Sequence, residues 1–355
     1  MQDLKLAVLG FGNAGQAFAG MLAEKQDEIR RTYGCGVQIT AIAARSKGTI
    51  VDPSGIDLLK ACRDVEACGR FADDTPGLCS LSTFDVLQQA DYDAVCELTP
   101  LNIFTGQPAI DHIKAAFARG KHVVSANKGP IAWAFDELQA LAKEQGCMFF
   151  YETTVMDGTP VFNLAEHTLK LCRVTEVSGI LNSTTNYILE ELAAGKAYDD
   201  ILAAGRKQGF IEADPSMDVD GYDAAAKVTA LLNVLMEAHL TPDQVDRTGI
   251  GAITADDIRA AADRGKVIKL LCRGQRMEDG RIQASVKPVE VARGDMLASI
   301  DSTTSVVSIT TDLMGKLSII EHAPEIQQTA YGIFGDVLRV LEGELQKKAE
   351  VSNRI

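Results

Sequence analysis

The stretch KLAVLGFGNAGQAFAGMLA, residues 5–23, carries the strongest fold signal in the first half of the chain. The apolar run from Lys5 to Leu9 is typical of a buried strand, and Gln16 to Ala23 has the spacing of a helix. Between them, three glycines form the pattern GxGxxG, which permits a tight turn, backbone approach to a pyrophosphate and close helix–strand packing. The stretch therefore predicts a dinucleotide site in a strand–helix–strand unit, with an ordinary glycine-rich turn as the alternative.

The end of the second predicted strand bears on which dinucleotide binds. In AIAARSKG, residues 41–48, Ala44 stands where an acid would bind a ribose 2′-hydroxyl, and Arg45, Ser46 and Lys47 follow it. Cations and a hydroxyl suit a 2′-phosphate, so the sequence favours NADP, with NAD as the alternative. The residues predicted to contact the cofactor here are Gly10, Phe11, Gly12, Asn13, Ala14, Gly15, Arg45 and Ser46.

Length, charge and cysteine content exclude several classes of protein. The chain has 355 residues, which favours two domains, and a formal charge of −14, which argues against nucleic-acid or anionic-membrane partners. The eight cysteines show no CxxC spacing and no histidines at zinc-site distances, which is typical of free thiols in a reducing compartment. No segment resembles a signal peptide or a membrane span, so we expect a cytoplasmic protein.

The order of apolar segments predicts two domains of different architecture. Val37 to Ala43, Tyr92 to Leu98, His122 to Ala126 and Cys147 to Tyr151 read as strands that alternate with helices, which predicts a parallel, doubly wound α/β sheet over residues 1–150. The pattern then changes to α+β, with a hairpin signal at the sequence EDG and a final amphipathic helix that carries a proline in its first turn. That helix is predicted to run from residue 324 to residue 345.

Ligands of doubly wound sheets bind outside the carboxyl ends of the strands. Thr99 and Pro100 end one strand there and are predicted to contact the cofactor. Lys128 follows another strand, so it is a candidate to contact both cofactor and substrate. A surface lysine is the alternative. Cys96 is the one cysteine expected near this edge. Without an evident histidine partner, it gives little support to acyl-enzyme chemistry.

The stretch GFIEADPSMDVDGYDAAAK, residues 209–227, crowds five carboxylates and one lysine into a turn and the start of a helix. Crowded acids repel one another, which favours a pocket for a cationic group over a merely solvated loop. Asp223 and Lys227 share a helix face, and Lys227 lies among apolar residues, so Asp223 could hold the ammonium for acid–base chemistry; a surface ion pair is the alternative. Glu212 and Asp218 could bind a substrate amino group.

The stretch ILNSTTNYIL, residues 180–189, places consecutive amides and hydroxyls at a strand–helix junction. Any of the first few can be an ordinary N-cap, but their number exceeds what one cap needs. Together with the free N–H groups of the helix, these residues, which include Asn182 and Thr184, could bind a substrate carboxylate.

These motifs together resemble the homoserine dehydrogenase family in its short form, which lacks an ACT domain. Four stretches occur along the chain in the family's order: ELTPLNIFTGQPAIDHIKAAFARGKHVVSANKGPIA, YETTVMDGTPVFNLAE, ILNSTTNYIL and the acidic stretch. The resemblance implies a Rossmann-type dinucleotide-binding domain over residues 1–150 and an α+β catalytic and dimerisation domain over 151–322. It also implies a C-terminal segment, 323–355, that packs back on the first domain.

The resemblance further implies an NAD(P)-dependent enzyme that interconverts L-homoserine and L-aspartate 4-semialdehyde in threonine and methionine biosynthesis. Lys128 and Lys227 would transfer the proton, and Asp223 would orient Lys227. A homodimer and a monovalent cation such as sodium are also implied. The cation would bind backbone carbonyls at Glu152, Val155, Asp157 and Thr159.

The sequence departs from the family pattern at several positions: Asp157, Ser183, Ile211, and Ala323, Pro324 and Glu325. These departures leave room for a related dehydrogenase that acts on another polar hydroxy amino acid. A third hypothesis, a catalytically silent NADP-binding regulatory protein, would not need both Lys128 and Lys227.

Overall fold

The structure, a computed structural model, describes residues 2–352. The chain divides into two compact units. The first runs up to Pro160 and resumes at Glu325, and the second comprises Val161–Pro324. The boundaries predicted at residues 150 and 322 fall shortly before these two breaks.

The first unit is built on a seven-stranded sheet with the order β4-β3-β2-β1-β5-β6-β7. Its strands are β1 (Leu4–Leu9), β2 (Val37–Ala44), β3 (Gly48–Val51), β4 (Leu78–Cys79), β5 (Ala94–Glu97), β6 (His122–Ser125) and β7 (Phe149–Phe150). Strands β2, β1, β5, β6 and β7 are parallel, and the chain leaves β1 first to one side and later to the other, which confirms the doubly wound α/β fold. Strands β3 and β4 add an antiparallel edge that sequence reasoning missed. Gly48, with φ +102°, turns the chain back directly after Lys47.

Helices cover the first sheet in the alternating pattern that the sequence predicts. They are α1 (Asn13–Tyr33), α2 (Leu58–Cys68), α3 (Thr83–Gln89), α4 (Ala109–Ala118), α5 (Lys128–Trp133), α6 (Phe135–Glu144) and the C-terminal helix (Ile326–Ser352). Lys128 is the first residue of α5, and Asn127 caps that helix by accepting the Gly129 N–H. One expectation was wrong. The C-terminal helix begins two residues after Pro324, so this proline lies outside its first turn.

The core of the first unit combines residues that are far apart in sequence. Strands β1 and β2 and helices α1 and α2 contribute apolar side chains, and the C-terminal helix adds Ile333, Val337, Val340 and Leu341, each at most 2% exposed. The C-terminal helix packs along α1. It is therefore a structural part of the first unit.

The second unit is α+β, with a six-stranded sheet in the order β13-β12-β8-β10-β11-β9. Its strands are β8 (Val174–Ile180), β9 (Asp246–Arg247), β10 (Lys266–Arg276), β11 (Ile282–Ala292), β12 (Ser305–Thr311) and β13 (Gly315–Glu321). Its helices are α7 (Val161–Thr168), α8 (Ser183–Ala193), α9 (Tyr198–Gln208), α10 (Ser216–Val219), α11 (Tyr222–Met236) and α12 (Ala255–Asp263). All neighbouring strands are antiparallel except β9 and β11, and helices α8 and α11 pack on the sheet. Among residues 2–352, no helix is both long and apolar enough to cross a bilayer.

Candidate active site

A cavity of about 920 Å³ opens at the carboxyl ends of the parallel strands in the first unit. It lies where the chain order reverses between β1 and β5, which is the usual ligand position in such sheets. The lining includes nearly all the residues predicted to contact the cofactor: Gly10, Phe11, Gly12, Asn13, Ala14, Gly15, Arg45, Ser46, Thr99 and Pro100. Lys128, which was also predicted there, is not among the lining residues.

The glycine loop presents the start of α1 to this cavity. Gly12 is the N-cap, without a side-chain cap, and Asn13 is the first helical residue. The first N–H groups of a helix have no partner within the helix and carry the positive end of its dipole. The loop can therefore hold the pyrophosphate of a dinucleotide, as the glycine spacing predicts.

Lys128 lies three residues beyond the end of β6, at the amino end of α5, and is half-buried. Its neighbour Asn127 is 5% exposed and donates through Nδ2 to the Thr99 carbonyl at 3.0 Å. The loops after β5 and β6 are thus joined directly at the edge of the sheet where ligands bind.

Sequence reasoning missed a buried pair beside the cavity. Glu97, the last residue of β5, is fully buried, and its Oε2 lies 2.8 Å from His112 Nδ1. His112, on α4, also lines the cavity. The signal that could have revealed the pair is the acid that ends the otherwise apolar segment AVCE, because a buried carboxylate requires partners.

In the second unit, Lys227 and Asp223 form a partly buried ion pair on α11. Lys227 Nζ lies 3.0 Å from Asp223 Oδ2 and donates to the Leu181 carbonyl at 2.8 Å. The side chains are 21% and 14% exposed. The alternative of a solvated surface pair is therefore excluded, and the ammonium is held both by Asp223 on its own helix and by the backbone just after β8.

Asn182 joins the acidic stretch to the polar stretch at the end of β8. Its Nδ2 donates to Asp218 Oδ1 at 2.6 Å and to Asp223 Oδ2 at 2.9 Å. Its Oδ1 accepts from the backbone N–H of Thr185 at 2.8 Å and from the Thr185 hydroxyl at 2.9 Å. An amide has two donor hydrogens and two acceptor lone pairs, so these bonds use the full capacity of Asn182.

The pKa of Asp218 is raised, first by burial and then by the nearby carboxylate of Asp223. Hydrogen bonds from Asn182 and Thr184 and the charge of Lys227 act in the opposite direction. Two carboxylates and one ammonium leave the cluster with one excess negative charge when all three are ionised. The cluster is thus suited to a further cationic group.

Glu212 occupies a different environment from Asp218. Its side chain is exposed, and its carbonyl accepts from Arg206 Nε at 3.4 Å, while Arg206 Nη2 donates to the Ala213 carbonyl at 2.9 Å. The loop that carries Glu212 is therefore tied to α9 through Arg206.

The segment predicted to bind a cation, residues 152–159, belongs to the first unit. Met156 and Asp157 have φ values of 57° and 49°, which turn the chain sharply between Val155 and Thr159. Within residues 2–352, no cluster of three His, Cys, Asp or Glu side chains could hold a metal ion. The family resemblance implies a cation held by backbone oxygens, which does not require such a cluster.

Cys96 cannot serve as a nucleophile in this structure. Its side chain is fully buried in β5, and burial raises the pKa of the thiol far above its ordinary value. Because the thiolate is the reactive form, acyl-enzyme chemistry at Cys96 has no structural support.

The glycine loop at the switch point and the acid-flanked lysine define the class of the protein as a dinucleotide-dependent oxidoreductase. More narrowly, the chain belongs to the homoserine dehydrogenase family. The family profile for the homoserine dehydrogenase NAD-binding domain matches residues 10–152, and the homoserine dehydrogenase profile matches residues 160–338.

Individual relatives agree with this membership. The chain is 34% identical over 348 residues to an NAD(+)-dependent homoserine dehydrogenase of Pseudomonas canavaninivorans, which covers 98% of this chain and 99% of that protein. It is 35% identical over 338 residues to a homoserine dehydrogenase of Methanocaldococcus jannaschii, with coverage of 95% and 98%. A hyperthermophilic archaeal homoserine dehydrogenase in complex with NADPH superposes with a TM-score of 0.81 at 28% identity, covering 96% of this chain and 98% of that one.

Proposed function

We propose that this enzyme interconverts L-homoserine and L-aspartate 4-semialdehyde by hydride transfer, with Lys128 and Lys227 as the acid–base groups. The observation that carries the proposal is the cluster of Asp218, Asp223 and Lys227, in which two acids and one fixed ammonium leave one negative charge in excess. A substrate with an α-ammonium group supplies the missing positive charge. Its hydroxyl is the group oxidised.

The bound nicotinamide supplies the chemistry of hydride acceptance and donation. In the oxidative direction, the carbon that bears the hydroxyl loses a hydride, and the hydroxyl oxygen loses a proton. The alcohol thereby becomes the aldehyde. Lys227 must be neutral to take that proton. Asp223 stabilises its charged form, which is the form that donates a proton when the aldehyde is reduced.

The residues predicted to bind the substrate receive the following roles in this proposal. Asp218 binds the substrate ammonium, because a cation beside it offsets both the burial and the repulsion from Asp223. Thr184 and Glu212 are assigned to the substrate as well. Asn182 holds Asp218 and Asp223 in place instead of binding the substrate, because its hydrogen-bonding capacity is already used within the protein.

For the cofactor, we propose a preference for NADP over NAD. Arg45, Ser46 and Lys47 line the cavity and supply two cations and a hydroxyl for a 2′-phosphate. One relative is named as NAD(+)-dependent and another was solved with NADPH, so both cofactors need to be tested.

The cofactor test compares kcat/KM for NADP+ and NAD+ in the wild type and in the Arg45→Ala variant. We expect a higher kcat/KM with NADP+, and a loss in Arg45→Ala that is mostly confined to NADP+, by about 10-fold or more for a charge-assisted phosphate contact. Equal efficiency with both cofactors in the wild type would contradict the assignment.

We also propose a monovalent cation at the carbonyls of Glu152, Val155, Asp157 and Thr159, and a homodimer. Exposed apolar side chains in and beside the β12–β13 hairpin, Leu313, Met314 and Ile320, support an interface on the second unit. A rise in Tm in sodium chloride that choline chloride does not reproduce would support the proposed cation site.

Light scattering measures the oligomeric state, and a dimer is the expected result.

The identity of the substrate is tested with a panel of hydroxy amino acids that includes L-homoserine, L-serine and L-threonine, each with both cofactors. L-homoserine is expected to give the highest kcat/KM. A higher value for another member would select the alternative, a dehydrogenase of a different hydroxy amino acid, which the departures at Ser183 and Ala323–Glu325 leave room for.

A further inference from the structure

A chain of hydrogen bonds in the first unit leads from the cavity wall to the helix that begins at Lys128. At the wall, Thr83 Oγ1 lies 2.8 Å from His112 Nε2, and both residues line the cavity. Phe84 packs against the His112 ring at a centroid distance of 4.8 Å, which limits its rotation. The other ring nitrogen, Nδ1, lies 2.8 Å from Glu97 Oε2.

Glu97 connects this histidine to the loop after β5. Its Oε1 accepts the Thr99 backbone N–H at 2.9 Å and also accepts the Thr99 hydroxyl. An ionised carboxylate only accepts, so with Glu97 in that form His112 donates from Nδ1 to Oε2. The side chains of Glu97 and His112 are 0% and 2% exposed, and these bonds compensate for the burial of the carboxylate.

The chain continues from Thr99 to the start of α5. The Thr99 carbonyl accepts from Asn127 Nδ2 at 3.0 Å, and Asn127 Oδ1 accepts the Gly129 N–H at 3.0 Å. Gly129 is the second residue of α5, and Lys128 is the first. These links connect the backbone after β5 to the first turn of α5.

We propose that Glu97 and Asn127 are positioning residues that fix the amino end of α5 and thereby the orientation of Lys128. The inference rests on the proposed function, in which Lys128 takes part in proton transfer. An acid–base group acts only within hydrogen-bond reach of its proton, so a loosened α5 lowers the rate of the chemical step.

The test measures kcat, and Kd for NADPH, in three variants: Glu97→Ala, Asn127→Ser and the double variant. Serine retains an N-cap for α5 but cannot span the distance to the Thr99 carbonyl. Each single variant is expected to lower kcat by about 10–100-fold, the loss typical of a small misplacement of a catalytic group. The double variant should be no slower than the slower single variant, because both changes break one chain.

Two further variants separate positioning from general damage. In Glu97→Gln, the amide oxygen still accepts from Thr99, and the amide nitrogen donates to the other tautomer of His112, so kcat should remain within about threefold of wild type. Glu344→Gln alters a second histidine–glutamate contact of the same unit, His122 Nε2 to Glu344 Oε1 at 2.9 Å, and should leave kcat unchanged.

Three results would overturn the inference: an unchanged kcat in folded Asn127→Ser, an equal loss in Glu97→Gln and Glu97→Ala, or losses that multiply in the double variant. If Glu97→Ala does not fold, Asn127→Ser and Glu97→Gln still decide the question. The variant Lys128→Ala distinguishes failure of the positioning inference from failure of the proposed function. Retained turnover in Lys128→Ala removes Lys128 from the mechanism, whereas lost turnover with normal Asn127→Ser rejects only the positioning chain.

Discussion

Gly10 and Gly12 belong to one sequence pattern but meet different surroundings. Gly10 has φ +94°, and a side chain there would overlap the Leu98 carbonyl at the end of β5. A side chain at Gly12 would meet no heavy atom within 4 Å and would point into open space at a cavity-lining position. The first glycine is therefore required by the fold, and we expect the second to be required by the ligand.

We accordingly expect Gly12→Ala to keep the wild-type Tm but to weaken NADPH binding by about 10-fold or more, because the added methyl group occupies space that the pyrophosphate needs. Gly10→Ala should lower Tm, since it combines a left-handed backbone with a backbone clash. Thermal unfolding and NADPH titration check both variants. A destabilised Gly12→Ala with normal NADPH binding would contradict this distinction.

Lys227 is the second residue whose role can be tested in isolation. Lys227→Ala should lower kcat by about 10²–10⁴-fold, the usual contribution of a general acid or base. NADPH binding should persist, because the cavity is formed by the first unit and Lys227 belongs to the second. Lys207→Ala, on the exposed end of α9, is the control. Turnover near the wild-type rate in Lys227→Ala would exclude Lys227 from the mechanism.

At the scale of elements, the C-terminal helix carries a buried acid into the first unit. Asp336 is 1% exposed, and its Oδ2 accepts the Glu152 N–H at 2.9 Å. Among the described residues its Oδ1 has no hydrogen-bond partner, although Arg339 Nη1 lies 3.5 Å away. Burial is the main cause that raises the pKa of Asp336 from 3.8 to about 7.

This raised pKa makes stability depend on pH with a definite sign. Between the ordinary pKa of 3.8 and the folded value of about 7, the folded protein retains a proton that the unfolded chain releases. The contribution of Asp336 to stability therefore falls as the pH rises through this window and is constant above it.

Asp336→Asn should raise Tm at both pH 5 and pH 8, and by more at pH 8, because the unfolded chain releases the Asp336 proton above 3.8 whereas the folded protein keeps it up to about pH 7. Differential scanning calorimetry at the two pH values measures the difference. Asp256→Asn, which removes an exposed acid on α12, is the matched control and should shift Tm equally at both. An equal shift for Asp336→Asn at both pH values would rule out ionisation of a buried acid.

At the scale of the whole molecule, the first unit is assembled from both ends of the chain. The C-terminal helix buries Ile333, Val337, Val340 and Leu341 in its core. At roughly 1.5–3 kcal/mol for each buried apolar side chain, these four contribute about 6–12 kcal/mol. This is comparable to the total stability of about 5–15 kcal/mol that is typical of a protein.

A chain that ends at Pro324 should therefore lose NADPH binding and the cooperative unfolding of the first unit. Calorimetry and NADPH titration test this expectation. A chain that ends at Lys348, which loses only exposed side chains among those described, is the control and should behave as wild type. NADPH binding by the shorter chain would show that the helix is dispensable for this unit.

Much of the fold and of the candidate site could be predicted from the sequence because the relevant signals are local. Hydrophobic spacing and glycine position predict β1, α1 and the cofactor loop, and four-residue spacing predicts that Asp223 and Lys227 share a face of α11. The antiparallel edge strands β3 and β4 escaped prediction because they are short and depend on pairing with β2.

The class of fold, the family and the residue types at the site follow from the sequence alone, because periodicity and motif spacing are properties of neighbouring residues. That Asn182 bridges Asp218 and Asp223, and that Glu97 meets His112 and Thr99, emerges only in the folded chain. The same is true of the C-terminal helix, which completes the core of the first unit. The physical reason is that burial and hydrogen-bond partners arise from contacts between distant segments, and these contacts exist only once the chain has folded.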